Sequence, residues 1–293
     1  MGDVSDQVGG SAAPLRRVST ARQVLTLFGD YWWEADEPMP SGAIIAALGD
    51  LGVKEAAARA TLTRLTRLEL LVSDRAGRRT THRLSSRAAQ IIAEEAAWLD
   101  SFGLDESRWD GLWSVLAFSI PESRRDVRHS ARSRLKWLGY APLYDGVWIS
   151  PLDTAAEAMA ELRELGVEDV TSMRASVETA TPGGPQSVWD LDDARREYRA
   201  FELDLADSPL REGAAALAER SRLMLTWQRF RGIDVGLPRE VLPENWPRVA
   251  VREQFARRFD DLGPEAEARM RDHVRAISPE LEDAVKVRRL RQN

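Results

Sequence analysis

The sequence predicts an α+β multidomain chain: an N-terminal winged helix, a central ferredoxin-like domain and a helical C-terminal domain. Three observations carry this prediction. Residues 20 to about 103 have helical periodicity broken by one glycine-tipped hairpin pattern. Residues 109 to about 180 alternate strand-like and helical runs. From Val188 onward the pattern is helical.

Composition sets the bounds. The 293 residues, 43% hydrophobic and 30% charged, suit two or three soluble domains with real cores. There are no cysteines, which excludes a disulfide framework, thiolate zinc sites and cysteine nucleophiles and suits a reducing cytoplasm. The three histidines, His82, His129 and His273, are too scattered for a multi-histidine metal site. No apolar run approaches the ~20 residues of a membrane span. Neither GxGxxG nor GxxxxGK is present, and no His/carboxylate cluster stands out. An enzyme, a catalytic residue and a metal site are therefore not expected.

The divisions follow composition. Residues 1–19 read as a disordered arm, Gly/Ser/Ala-rich and without an apolar segment. The winged helix is placed at 20–104 and the ferredoxin-like domain at 105–180. The Pro/Gly hinge TPGGPQ, Thr181 to Gln186, opens the C-terminal domain at 181–278. The charged stretch 279–293 is weakly apolar and is expected to fray.

The first helix, ARQVLTLFGDYWW, puts Val24, Leu27, Phe28 and Tyr31 on one face. Pro40 and Ser41 open a second, with Ile44, Ile45 and Leu48 inward and Gly49 and Gly52 available to end it. In the third, Ala58, Leu62, Leu65 and Glu69 share one side, flanked by Thr61 and Leu68. Its other side shows Ala56, Arg59, Ala60, Thr63, Arg64 and Arg67. That face is small, hydroxylated and cationic. A hairpin follows, with Gly77 at its tip and Arg75, Arg78, Arg79 and Arg83 without an intervening acid. From Lys54 to Arg87 nine bases stand against three acids, a local charge of +6 in a chain of net −6.

That charge reversal on a helix–turn–helix followed by a basic hairpin points to double-stranded DNA. Arg59, Thr63, Arg64 and Arg67 are expected to read bases in the major groove, with Ala56 and Ala60 allowing close approach. Arg75, Arg78 and Arg79 are expected to grip the backbone. His82 is a candidate for a further backbone contact, with a strand residue satisfied by a neighbour as the preferred reading. An arginine-rich helix face is more often simply solvated, and a winged helix also serves protein docking. A cytosolic adaptor without enzymatic activity is thus the competing class.

In the middle region WDGLWSVLAFSIP reads as a buried strand and ESRRDVRHSARSRLKWLGY as a helix through Val127, Ala131, Leu135 and Leu138. APLYDGVWISP gives a turn and a second strand, Val147 to Ile149. DTAAEAMAELRELGV is a helix capped by Asp153 or Thr154, and VEDVTSMRASV a third strand. No carboxylate lies on the first strand to hold a metal.

Several stretches resemble the PaaX family of bacterial transcriptional regulators. They are ARQVLTLFGDY, ARATLTRLTRLELL and SDRAGRRTTHRLS in the first domain. WDGLWSVLAFSIPESRRDVRHSARSRLKWLGYAPLYDGVWISP follows, then WDLDDARREYRAFE and LPREVLPENWPRVAVREQFARRF. The likeness runs from about residue 20 to 262. It implies a winged-helix DNA-binding domain, a middle domain similar to a CRISPR-associated ferredoxin-like nuclease, and a helical C-terminal domain. The nuclease's metal-binding aspartate falls on Phe118-Ser119-Ile120 here, so that site does not carry over. The resemblance further implies a homodimer on a palindromic operator and repression of phenylacetate catabolism, relieved by a small-molecule effector, phenylacetyl-CoA or another acyl-CoA. For such an effector Trp113, Trp148, Trp189, Tyr198 and Trp227 are candidates to stack on it. Arg195, Arg196 and Arg199 are candidates to meet its phosphates. Core packing is the competing role for every one of these aromatics.

Overall fold

The computed structural model describes residues 19–33, 35–77, 79–104 and 109–291. The arm, but for Ser19, lies outside the described residues, as does Arg78. The described residues form two compact units that do not follow chain order. One gathers residues up to 104 with 201–228 and 250–291; the other gathers 109–200 with 229–249. The stretch expected as one helical domain is thus divided between both units, and the TPGGPQ hinge falls inside one of them.

In the first unit α1 (Thr20–Tyr31) starts where Ser19 Oγ accepts the Arg22 amide N–H at 3.3 Å. Val24, Leu27, Phe28 and Tyr31 are buried, as their spacing predicts. The two-residue strand β1 (Met39–Pro40) leads into α2 (Ser41–Asp50). Ile44 and Leu48 of α2 are buried, whereas Ile45 is only partly so. Gly52 turns the chain at φ 79, a left-handed conformation in which glycine carries no Cβ penalty.

Helix α3 (Glu55–Arg67) buries Ala58, Thr61, Leu62 and Leu65. Each buried leucine contributes about 1.5–3 kcal/mol. Glu69 departs from expectation: it lies past the helix end at φ 56, exposed, and not on the inner side. Strands β2 (Leu71–Ala76) and β3 (Arg79–Leu84) pair antiparallel from Leu71↔Leu84 to Ala76↔Arg79, with Gly77 at φ 61 in the turn. Strand β1 adds to the far side of β3 through Met39↔His82, giving the order β1-β3-β2. Two residues are too few to show a period, so β1 left no trace in the pattern. Helix α4 (Ser86–Ser101) follows, capped by Ser85.

The same unit takes in α8 (Gly213–Trp227), most of α10 (Arg248–Asp261) and α11 (Gly263–Arg275). Leu217, Ala266, Met270 and Val274 enter one core with Leu27, Leu48 and Leu65. The link is also polar. Arg269 donates to both Asp50 oxygens at 2.7 and 3.0 Å, and His273 Nε2 lies 2.7 Å from Asp50 Oδ2. Burial alone would raise the Asp50 carboxyl, but these partners hold it below the usual range. As far as Arg291 the final stretch does not fray as expected. Val285 and Leu290 are buried, and the amides of Lys286 and Arg288 donate to the carbonyls of Tyr31 and Asp30 at 3.1 and 2.8 Å.

The second unit contains β4 (Trp113–Phe118), α5 (Arg125–Trp137), β5 (Ala141–Tyr144), β6 (Val147–Ser150), α6 (Ala155–Glu164) and β7 (Val170–Ala175). The sheet is antiparallel in the order β5-β6-β4-β7, the split βαβ arrangement. It has four strands where three were expected. Ala141–Tyr144, read as a turn, forms an edge strand that tolerates Pro142 because an edge needs no donor on its outer side. Leu116 and Trp148 meet Ala131, Leu135, Ala158 and Leu162 on the helix-covered face. Thr154 precedes α6 without capping it; its hydroxyl donates instead to the Leu138 carbonyl at 3.1 Å.

The unit is completed by α7 (Leu191–Asp207) as far as Ala200, by α9 (Phe230–Ile233) and by the turn around Asn245. Buried Asp234 organises this corner. It accepts from Tyr198 Oη at 2.8 Å, Trp246 Nε1 at 3.1 Å and Arg248 Nε and Nη2 at 2.8 Å each. The Asn-Trp-Pro turn is therefore a structural corner.

Candidate nucleic-acid interface

The outer face of α3 is built by the same periodicity that buries its inner one. Ala56, Arg59, Ala60, Thr63, Arg64 and Arg67 are all exposed. Arg59 is tied to Glu55 of its own first turn at 2.7 Å. Arg64 and Arg67 have no carboxylate partner among the described residues. Thr63 donates its hydroxyl to the Arg59 carbonyl at 3.1 Å, which leaves its methyl and oxygen lone pairs outward.

The hairpin is less free of acids than its own sequence suggests. Arg75 Nε bonds to the Gly77 carbonyl at 3.2 Å. Arg83 lies 3.8 Å from Asp74, and Arg79 lies 3.6 Å from Glu280, a residue two hundred positions away. Arg78 lies outside the described residues. His82 is 5% exposed, and burial pushes its pKa down, so it is no phosphate-gripping cation. Its Nδ1 has no hydrogen-bond partner among the described residues, so the neighbour expected to satisfy it is missing at that atom.

Between α3, β3 and the first turn of α2 lies an open cleft of about 770 Å³. Arg59, Thr63 and Arg67 of α3 and Arg79, Thr80 and Thr81 of β3 contribute cations and hydroxyls. Ser41, Thr66 and Ser73 add further hydroxyls, and Ile277 and Ser278 form one edge. The arrangement can hold a chain of anions along a groove with base-reading side chains beside it. Sequence reasoning named the arginines and Thr63. It missed Thr66, for which the helical period of α3 was the available signal, and Thr80 and Thr81 of β3. It also missed Ile277, Ser278 and Glu280, for which sequence carries no local signal.

The effector candidates do not converge on one cavity. Trp113 stacks on Trp189 at 6.0 Å, and Trp189 lines a cleft of about 640 Å³ with Val241 and Leu242. Trp148 is buried on the opposite face of the sheet. Tyr198 is fully buried, stacked on Phe230 and bonded to Asp234. Trp227 belongs to the other unit and packs on Phe255. Arg195 lies over the Trp246 ring at 5.5 Å, Arg196 pairs with Asp193 at 2.8 Å, and Arg199 is exposed.

Three family models match the chain in order. The PaaX-like protein model covers residues 19–88, the PaaX central Cas2-like domain 106–187, and the PaaX-like C-terminal domain 189–272. The transcriptional repressor PaaX of Escherichia coli (strain K12) is 25% identical over 263 residues, which is 85% of this chain and 82% of that protein. The solved structure of uncharacterized protein Rv0674 from Mycobacterium tuberculosis shares the fold. Its TM-score is 0.58 at 20% identity, covering 86% of this chain and 97% of that one. With three consecutive domains matched in the order in which the two basic elements and the four-stranded sheet occur, the chain belongs to the PaaX family.

Proposed function

We propose that the protein is a DNA-binding transcriptional regulator that acts as a repressor. In this reading α1–α3 and the β2–β3 hairpin form a winged helix, with α3 in the major groove and the hairpin on the backbone. The observation that carries it is the exposed outer face of α3, where Arg64 and Arg67 stand without acid partners among the described residues, beside Thr63. The similarity to a transcriptional repressor supports the same reading. The regulator acts as a homodimer, with α3 helices about 34–36 Å apart or a multiple of it.

The proposed ligand that relieves binding is an acyl-CoA, phenylacetyl-CoA by family resemblance, and the regulated genes serve aromatic-acid breakdown. Asp190, Asp192 and Glu240 line the cleft beside Trp189 and repel phosphates, so the CoA phosphates are expected on the Arg195 and Arg199 side of α7. Ligand and duplex affect each other by differential affinity, typically ~1–3 kcal/mol.

A mobility shift with duplex from the upstream region of the gene, against random duplex, tests the proposal. A salt-dependent shift that favours the upstream duplex is expected. Failure to bind any duplex at low salt would leave the protein-docking adaptor as the reading. Phenylacetyl-CoA should raise the melting temperature and release the duplex; the absence of both effects rejects this effector alone.

A further inference from the structure

The cleft beside α3 is bordered by the far end of the chain. After α11 the backbone turns at Ile277 and Ser278 into a 3-10 turn, Pro279–Ala284. Ile277 lies against the start of α2: a Cβ on Gly42 would come within 3.0 Å of its Cδ1. Ser278 is buried and lines the cleft. Two residues on, Glu280 reaches to 3.6 Å from Arg79 on the hairpin. The lip is held in place from behind. Arg275 Nε donates to Glu282 at 2.7 Å, and α11 is fastened to α2 through Asp50.

We propose that this lip is a built-in competitor for the duplex, with Glu280 occupying Arg79 where a DNA phosphate would otherwise bind. The inference rests on the DNA-binding reading above and adds a means of regulating that site. An exposed ion pair is weak and screened by salt, so a duplex displaces it at a modest cost. Arg64 and Arg67 on α3 carry no such partner among the described residues. The lip therefore tunes backbone affinity and leaves base discrimination unchanged. Any event that shifts the end of α11 lifts Glu280 away from the hairpin and tightens binding.

The test uses the full chain and a fluorescent random-sequence duplex, titrated at several salt concentrations. Glu280→Gln should bind about two- to fivefold tighter than wild type at low salt. Its slope of log affinity against log salt should steepen by about 0.9, one recovered phosphate contact. In an Arg79→Ala background the same substitution should gain nothing. Asp283→Asn removes an equal charge from the same turn, where it faces Arg271 at 3.6 Å, and should leave affinity at the wild-type value. The inference is overturned if Glu280→Gln gains nothing, if its gain survives Arg79→Ala, or if Asp283→Asn matches it. Duplex binding by wild type with an unchanged Glu280→Gln sinks the lip alone. A wild type and variants that bind no duplex sink the DNA-binding reading and the lip with it.

Discussion

Arginine is used in opposite ways at two places in the same unit. On the outer face of α3, Arg64 and Arg67 project into solvent and touch no carboxylate among the described residues. Beneath α1, Arg220 is fully buried. It lies 3.6 Å over the Phe259 ring and 5.1 Å from that of Tyr31, and donates to the Phe259 carbonyl at 3.2 Å and to that of Arg288. Asp30 stands 3.6 Å away. The buried guanidinium has exchanged its water for carbonyls, rings and one carboxylate, so the fold depends on it. The exposed ones have kept their water and cost the fold little, which leaves their charge available to a ligand. Burial and partners, not residue type, separate structural arginines from candidate contacts.

The comparison breaks most easily at Arg220. Arg220→Ala should destabilise the chain by about 3–5 kcal/mol in chemical denaturation, because Asp30 and two carbonyls lose their partner in a dry site. Arg64→Ala should move stability by no more than about 0.5 kcal/mol. Similar losses for the two would erase the distinction.

Asp30 sharpens it by pH. Burial pushes its carboxyl up to about 6, against the pull of Arg220 and Arg288. Between the unfolded value of 3.8 and about 6 the native state keeps a proton that the unfolded chain has released. The stability from this group is therefore full below 3.8 and is lost as pH rises through 6. Asp30→Asn does not titrate. Whatever its constant offset, its stability relative to wild type should rise by about 1–3 kcal/mol from about pH 4 to 7. A flat difference would mean that the arginines hold Asp30 ionised throughout.

Arg64→Ala should cost about 1–3 kcal/mol on the upstream duplex and less on random duplex. Equal losses on both would demote Arg64 from base reading to backbone contact.

Legibility follows the range of the interaction. The inner and outer faces of α3 were readable because a 3.6-residue period places Leu62 and Leu65 opposite Arg64 and Ala60 within one segment. The β2–β3 hairpin was readable from Gly77 and the residues around it. Strand β5 was not: four residues with Pro142 look like a turn until a neighbouring strand fixes them. Helix α11 has an ordinary amphipathic pattern, and nothing in it says that its apolar side meets α2 and α8. The mixed composition of the unit thus stayed hidden. The stretch from Arg75 to Arg83 holds no acid along the chain, but in space Asp74 of β2 faces Arg83, and Glu280 arrives from residues too distant for any local count. The effector residues fared differently. Of the aromatics offered as effector contacts, Trp148 and Trp227 are buried in cores and serve packing.

The smallest effect lies on the hairpin, at Arg75. Its polar contact with the Gly77 carbonyl is local and exposed, so Arg75→Ala should leave the melting temperature unchanged. A backbone contact carries no sequence preference. The variant should therefore lose affinity equally on upstream and random duplex, by about 1 kcal/mol or less at moderate salt, and its salt slope should fall by about one unit. Arg64→Ala acts on discrimination and Arg75→Ala on the salt slope, so the two substitutions separate the helix from the hairpin on the same pair of titrations. If Arg75→Ala altered discrimination instead, the hairpin would be reading bases, and the division of labour between it and α3 would have to be reversed.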